Sequence, residues 1–232
     1  MLKKIFLFLW MPTVFSATFA QNKANNIWYF GAKAGIDFNT PTPQKLLDNV
    51  SVAIEGTASV SDTSGQLLFY TRGDTVYNKN HLMMPNGFGL TNGFSIAQPA
   101  SIVQLPGAQK LYYIFSANGE WAGDDQVGTR RGTYSIVNMD LAGGLGAITT
   151  KNAFITDSVM ECMVVVPHSD CNKYWVIYHI AETDRFESFL FDADGLHPTP
   201  VKSVTATMPS ANPSSAATNV STMSVSPDYG MV

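Results

Sequence analysis

Apolar residues in this chain come in short runs that alternate with polar ones, and turn residues separate the runs at regular intervals. "NIWYFGAKAGIDFN" (26–39) holds Ile27 to Phe30, a turn around Lys33 to Gly35, then Ile36 to Phe38. "QLLFYTRGDTVYN" (66–78) repeats the layout, with Leu67 to Thr71, a Gly-Asp turn, and Thr75 to Asn78. Ile27 and Ile36 have the same separation as Leu67 and Val76. The pattern returns in "KLYYIFSANGEW" (110–121) with "GTYSIVNMDL" (132–141), and in "KYWVIYHI" (173–180) with "FESFLFDADG" (186–195). Runs of this length, rich in aromatic and β-branched residues and bounded by Gly, Asp, Asn and Pro, predict β-strands joined by tight turns.

A shorter lead strand precedes each aromatic strand after the first: "TASVSDTSGQ" (57–66), "PASIVQLPGAQ" (99–109) and "CMVVVPHSDCN" (162–172). "MSVSPDYG" (223–230) is that element once more. The repeating unit is therefore lead strand, turn, aromatic strand, turn, third strand and a looser outer strand. Units of this kind span about 26–50, 54–92, 96–155 and 159–202, with the start of another at 219–232. Consecutive antiparallel strands repeating every ~40–60 residues fit the blades of a β-propeller. A β-sandwich also has many short strands, but the constant turn position and the aromatic strands, apolar on both faces, favour blades. The first unit lacks a lead strand, and the final residues, Met231 and Val232, begin an aromatic-strand position. The expected fold is all-β, a propeller-like array of antiparallel blades forming an incomplete propeller, in one domain over 21–232.

"MLKKIFLFLWMPTVFSATFAQ" has the layout of a secretory signal peptide over 1–20, with Lys3 and Lys4, an apolar run from Ile5 to Phe15, and small residues at Thr18 and Ala20. The run is too short to span a bilayer, and no membrane span is expected after signal removal. The net charge of −4, with 14 % charged residues, leaves no basic patch, so nucleic acid is not an expected partner. "SVTATMPSANPSSAATNVST" (203–222) reads as a loop between blades.

The motifs "NNIWYFGAKAGIDFN", "EGTASVSDTSGQLLFYTRGDTVYNKNHLMMPNGFGL", "GGLGAITTKN" and "NKYWVIYH" resemble the N-terminal propeller regions of large exported Bacteroidota proteins. Those proteins often carry C-terminal sorting domains of the gliding-motility-associated, type IX secretion type. The resemblance covers nearly all of the mature chain. It implies a secreted or cell-surface module related in style to WD40-like repeats, whose hallmark is "SPDG". Ser226-Pro227-Asp228-Tyr229-Gly230 departs from that hallmark by one inserted Tyr, and the expected sorting domain is absent from this sequence. The chain thus reads as a fragment of a larger exported protein.

The candidate chemistry is sparse. Glu120, Trp121, Asp124, Asp125, Arg130 and Arg131 fall in a polar insertion, "ANGEWAGDDQVGTRRG" (117–132), where a loop on a rigid scaffold can present charge and a Trp ring to a protein or glycan. The alternative for these residues is a solvated hairpin tip. Glu55, Glu161 and Asp74 lie near strand ends, where a propeller's central face could gather two acids for glycoside hydrolysis. Asp192-Ala193-Asp194-Gly195 resembles half of a calcium loop but is equally an Asp-Gly hairpin turn. His81, His168, His179 and His197 show no metal-ligand spacing. No metal, cofactor or catalytic residue is assigned. Pairing of Met163–Val166 with Tyr174–Ile177 would hold Cys162 and Cys171 apart as free thiols. The expected function is a non-enzymatic module binding a protein or glycan; the alternative is a secreted glycan-acting hydrolase.

Overall fold

The structure, a computed structural model, describes residues 22–91, 96–118, 130–181, 183–205 and 222–226. Within them the chain forms strands β1 (Ile27–Phe30), β2 (Ala34–Asp37), β3 (Gln44–Leu46), β4 (Ala58–Ser61), β5 (Leu67–Thr71), β6 (Thr75–Asn78), β7 (Met83–Phe88) and β8 (Ala100–Gln104). They continue with β9 (Leu111–Ala117), β10 (Arg131–Asn138), β11 (Ala147–Asp157), β12 (Val159–Pro167), β13 (Tyr174–Ile180), β14 (Arg185–Asp192), β15 (Gly195–Leu196) and β16 (Val201–Val204). A single short 3-10 turn, Ala142–Gly144, is the helical content of the described residues.

These strands make four antiparallel sheets in chain order: β1-β2-β3, β4-β5-β6-β7, β8-β9-β10-β11, and β12-β13-β14 with β15 and β16 both on β14. Three of the four open on a lead strand, then an aromatic strand, as the repeat predicts, and the first sheet opens on the aromatic strand β1. The fold is all-β, and the sheets do not close into a barrel. No helix of the described residues is long and apolar enough to cross a membrane.

The sheets stack face to face because the aromatic strands of the two middle sheets, β5 and β9, are apolar on both sides. In β9, Tyr112 and Ile114 pack with Phe69, Val76 and Val137 in one core. Their neighbours Tyr113, Phe115 and Ala117 point the other way, into a second core with Val176, Tyr178 and Phe189. A period-two strand buried on both faces is what a sheet between two other sheets requires. Fully burying one such aromatic side chain contributes about 1.5–3 kcal/mol. Polar bolts cross the same interfaces. Tyr178 donates from its hydroxyl to the Ser116 carbonyl at 3.2 Å, and Thr156 donates to the Glu187 carboxylate at 2.7 Å.

The first sheet is held to the second by aromatic rings and a polar ring of side chains. Ile27 and Tyr29 pack on Tyr70. The Tyr29 hydroxyl donates to Asp48 Oδ1 at 2.9 Å, His81 Nε2 lies 3.2 Å from Asp48 Oδ2, and His81 Nδ1 lies 3.2 Å from the Tyr70 hydroxyl. Burial, with the neighbouring Asp48 carboxylate, raises the Tyr29 phenol well above its ordinary value; burial pushes Tyr70 up to about 12. Both stay neutral at physiological pH.

Two expectations are corrected in detail. Met163–Val166 pairs with Trp175–Tyr178 rather than Tyr174–Ile177, because the strand runs on to pair Pro167 with Tyr174. Cys162 therefore lies inside β12, buried, while Cys171 is exposed in the following turn, and neither forms a disulfide. The outer strand of the fourth sheet is split, with β15 and β16 on successive parts of β14.

Replacing Phe115, fully buried in the second core, by alanine is expected to cost about 3–5 kcal/mol of unfolding free energy. Val204→Ala, at an exposed edge position, should stay within about 0.5 kcal/mol. Denaturant titration of both variants checks the pair; similar losses would contradict the stacked-sheet core.

Candidate functional site

Face-to-face stacking brings the first strands of the sheets together edge inward. Their ends meet through main-chain bonds: Gly56 N donates to Ile96 O at 3.1 Å, and Gln98 N donates to Glu161 O at 3.2 Å. From these junctions the strands diverge and leave an open groove of about 1320 Å³. Its walls are Thr57–Thr63 on and after β4, all of β8, and Val165, Pro167 and Tyr174 from β12 and β13; Trp28 and Phe30 of β1 complete it.

Trp28 is 53 % exposed, whereas its strand neighbours Ile27 and Tyr29 are buried. The alternation of β1 turns the indole outward while Ile27 and Tyr29 pack on the second sheet. The ring is fixed in place: Nε1 donates to the Asn25 carbonyl at 2.8 Å, and Phe38 meets it edge-on with centroids 5.0 Å apart. It thus offers a preset apolar surface beside a wall of hydroxyls. Two of those hydroxyls also clamp β1, Thr57 Oγ1 on Tyr29 O and Ser59 Oγ on Ile27 O, each at 2.6 Å.

Charge is scarce in the groove: Asp62 and Lys110 are its charged lining residues. Asp62 serves the β4–β5 turn, accepting from Ser64 N at 2.9 Å, Ser64 Oγ at 2.6 Å and Gln66 N at 2.9 Å. Burial alone would raise its pKa, but these donors outweigh it and hold the carboxyl below the usual range. Gly65 completes the turn at φ +92°, a conformation that favours glycine.

Of the residues singled out in the sequence, Glu120, Trp121, Asp124 and Asp125 lie outside the described residues. Arg131 opens β10, and Arg130 immediately precedes it. Arg131 Nε sits 3.4 Å from Asp157 Oδ1, and its guanidinium lies 5.8 Å from the Phe154 ring centroid, so it braces the β10–β11 pair. Neither arginine lines the groove.

The three acids proposed for the central face do not assemble there. Asp74 is held by Arg72 through contacts of 2.7 and 3.0 Å, Glu161 is buried in β12, and none of the three lines the groove. Asp192 serves a hairpin: it accepts from Asp194 N at 3.0 Å and pairs with His197 Nε2 at 3.0 Å. Gly195, at φ +100°, closes that turn. Among the described residues no group of His, Cys, Asp and Glu is placed to hold a metal ion.

The groove itself was not marked by any motif. Its sequence signal is the alternation of β1, which puts two aromatic residues, Trp28 and Phe30, on the outward register.

Because the folded Asp62 carboxyl titrates below its unfolded value near 4, its stabilisation is complete above that pH. It is lost as pH falls through the lowered folded value. The stability difference between wild type and Asp62→Asn should be constant from pH 8 to about 5 and shrink below about 4. Denaturation at stepped pH measures this, and a difference that widens on acidification would contradict the turn assignment.

No family model, curated protein or solved structure matches the chain.

Proposed function

We propose that this protein is a binding module, secreted or at the cell surface, that takes a protein or glycan ligand in the axial groove. The observation that carries this reading is the groove's lining: a fixed, half-exposed Trp28 beside neutral hydroxyls and strand edges, with one acid already committed to a turn. Open clefts with an aromatic anchor and a few convergent polar groups are the usual form of recognition sites. The address rests on the signal-peptide layout of residues 1–20 and on the resemblance to exported Bacteroidota propellers. The step from scaffold to binding is by analogy with how rigid β-arrays present surfaces.

The hydrolase reading needs two carboxyl groups about 5–10 Å apart across a bond. The groove lining supplies only Asp62, which favours binding over hydrolysis.

The experiment is to screen the full-length mature protein against an oligosaccharide panel and a linear peptide library. Any ligand found should bind at least about tenfold more weakly to Trp28→Ala, the cost of losing a central aromatic anchor. It should bind unchanged to Trp175→Ala, which lies outside the groove. Ligands indifferent to Trp28 would move the site elsewhere. Release of new reducing ends from the panel, abolished in Asp62→Asn, would restore the hydrolase reading.

A further inference from the structure

Within the groove, one strand edge carries main-chain groups that no described residue satisfies. Antiparallel pairing alternates residues that exchange both main-chain bonds with residues that exchange none. Leu105 N donates to Leu111 O at 2.9 Å, and the register runs back without a shift through Val103↔Tyr113 and Ser101↔Phe115. Ser101 and Val103 therefore spend their N–H and C=O groups on β9. Ala100, Ile102 and Gln104 turn theirs away from it, toward the groove. Gln98, two residues earlier on the same parity, does the same, and its N–H is the one that reaches Glu161 O. Beyond that junction, no hydrogen bond among the described residues reaches the outward main-chain groups of Ala100, Ile102 or Gln104.

The other inner edges are partly blunted. On β1 the outward carbonyls of Ile27 and Tyr29 accept from Ser59 and Thr57. On β4 the Ser61 N–H goes to Ala24 O at 2.7 Å. By the same parity β12 turns Met163, Val165 and Pro167 outward, since His168 N bonds Lys173 O; Met163 does not line the groove, and Pro167 has no N–H to offer. Of these four edges β8 is the one whose whole outward run, Ala100, Ile102 and Gln104, lines the groove with no main-chain bond from a described residue, and proteins ordinarily cover or blunt such an edge.

We propose that the ligand of the groove is an extended polypeptide that adds as a strand to the free edge of β8, along Ala100–Gln104. The proposal rests on the groove being the binding site. A five-residue strand is about 17 Å long, which matches the edge on offer. Main-chain bonds to Ala100, Ile102 and Gln104 supply affinity, and alternate ligand side chains face the β4 wall and the β12 wall, which sets specificity. The lining's near neutrality suits a peptide main chain, which carries dipoles and no net charge.

The test selects binders from a phage-displayed library of linear heptapeptides on the full-length mature protein, with cellohexaose and chitohexaose titrated in parallel. Gln104→Pro removes one outward N–H without touching the β8–β9 ladder; Gln104→Ala controls for the lost side chain and its bond to Ala108 O. Selected peptides should bind Gln104→Pro about tenfold more weakly than Gln104→Ala. N-methylation at alternate peptide positions should abolish binding, while methylation at the intervening positions is tolerated. Peptides indifferent to both changes overturn strand addition. An oligosaccharide that binds in a Trp28-dependent way, with no peptide selected, overturns strand addition but leaves the groove as the site. Failure of both ligand classes to bind overturns the groove itself.

Discussion

Everything in this structure depends on sheets that are apolar on both faces. A sheet such as β8-β9-β10-β11 cannot expose either side of β9, because Ile114 and Phe115 each need a core and point in opposite directions. Stacking sheets on both sides is the solution, and it fixes where the edges go. Sheets stacked face to face and splayed from a shared line bring their first strands together along that line. The edges there cannot pair continuously, since the strands belong to different sheets and diverge after one bond at Gln98 and Glu161. A groove lined with strand edges is thus a consequence of how the cores are buried.

That origin explains the groove's chemistry. Two of the inner strands, β4 (Ala58–Ser61) and β8 (Ala100–Gln104), are short and carry Ser and Ala into the groove, and Thr57 adjoins β4. Their hydroxyls do two jobs, clamping β1 through Thr57 and Ser59 and leaving a polar wall with little charge. Trp28 and Phe30 add large apolar surface, and they stand where the first sheet turns its second face outward.

Much of the fold was legible in the sequence. Aromatic strands such as Leu67–Thr71 and Tyr174–Ile180 announce themselves by β-rich composition between turn residues, and the lead strands by their constant spacing. Outer strands were harder to read. β7 contains Pro85, and Asn86 at φ +60°, which local rules assign to a turn; both sit in the irregularity between the Thr75↔Phe88 and Tyr77↔Met83 pairs with β6. The hairpin between β12 and β13 was read one residue out of register, since a run of valines from Val164 to Val166 gives period-two patterning nothing to discriminate. The site was scarcely legible. It is made of main-chain groups, and which residues of β8 turn outward depends on a register that side chains do not encode. Acids near strand ends, Asp74 and Asp192 among them, drew attention by type, yet the structure uses both to stabilise turns.

The most direct test of the account is residue-resolved amide hydrogen exchange along β8 in the ligand-free protein. Ser101 and Val103, bonded to β9, should exchange slowly, while Ile102 and Gln104 exchange orders of magnitude faster. Uniform protection from Ala100 to Gln104 would mean that the edge is already covered, and would contradict an open strand edge in the groove.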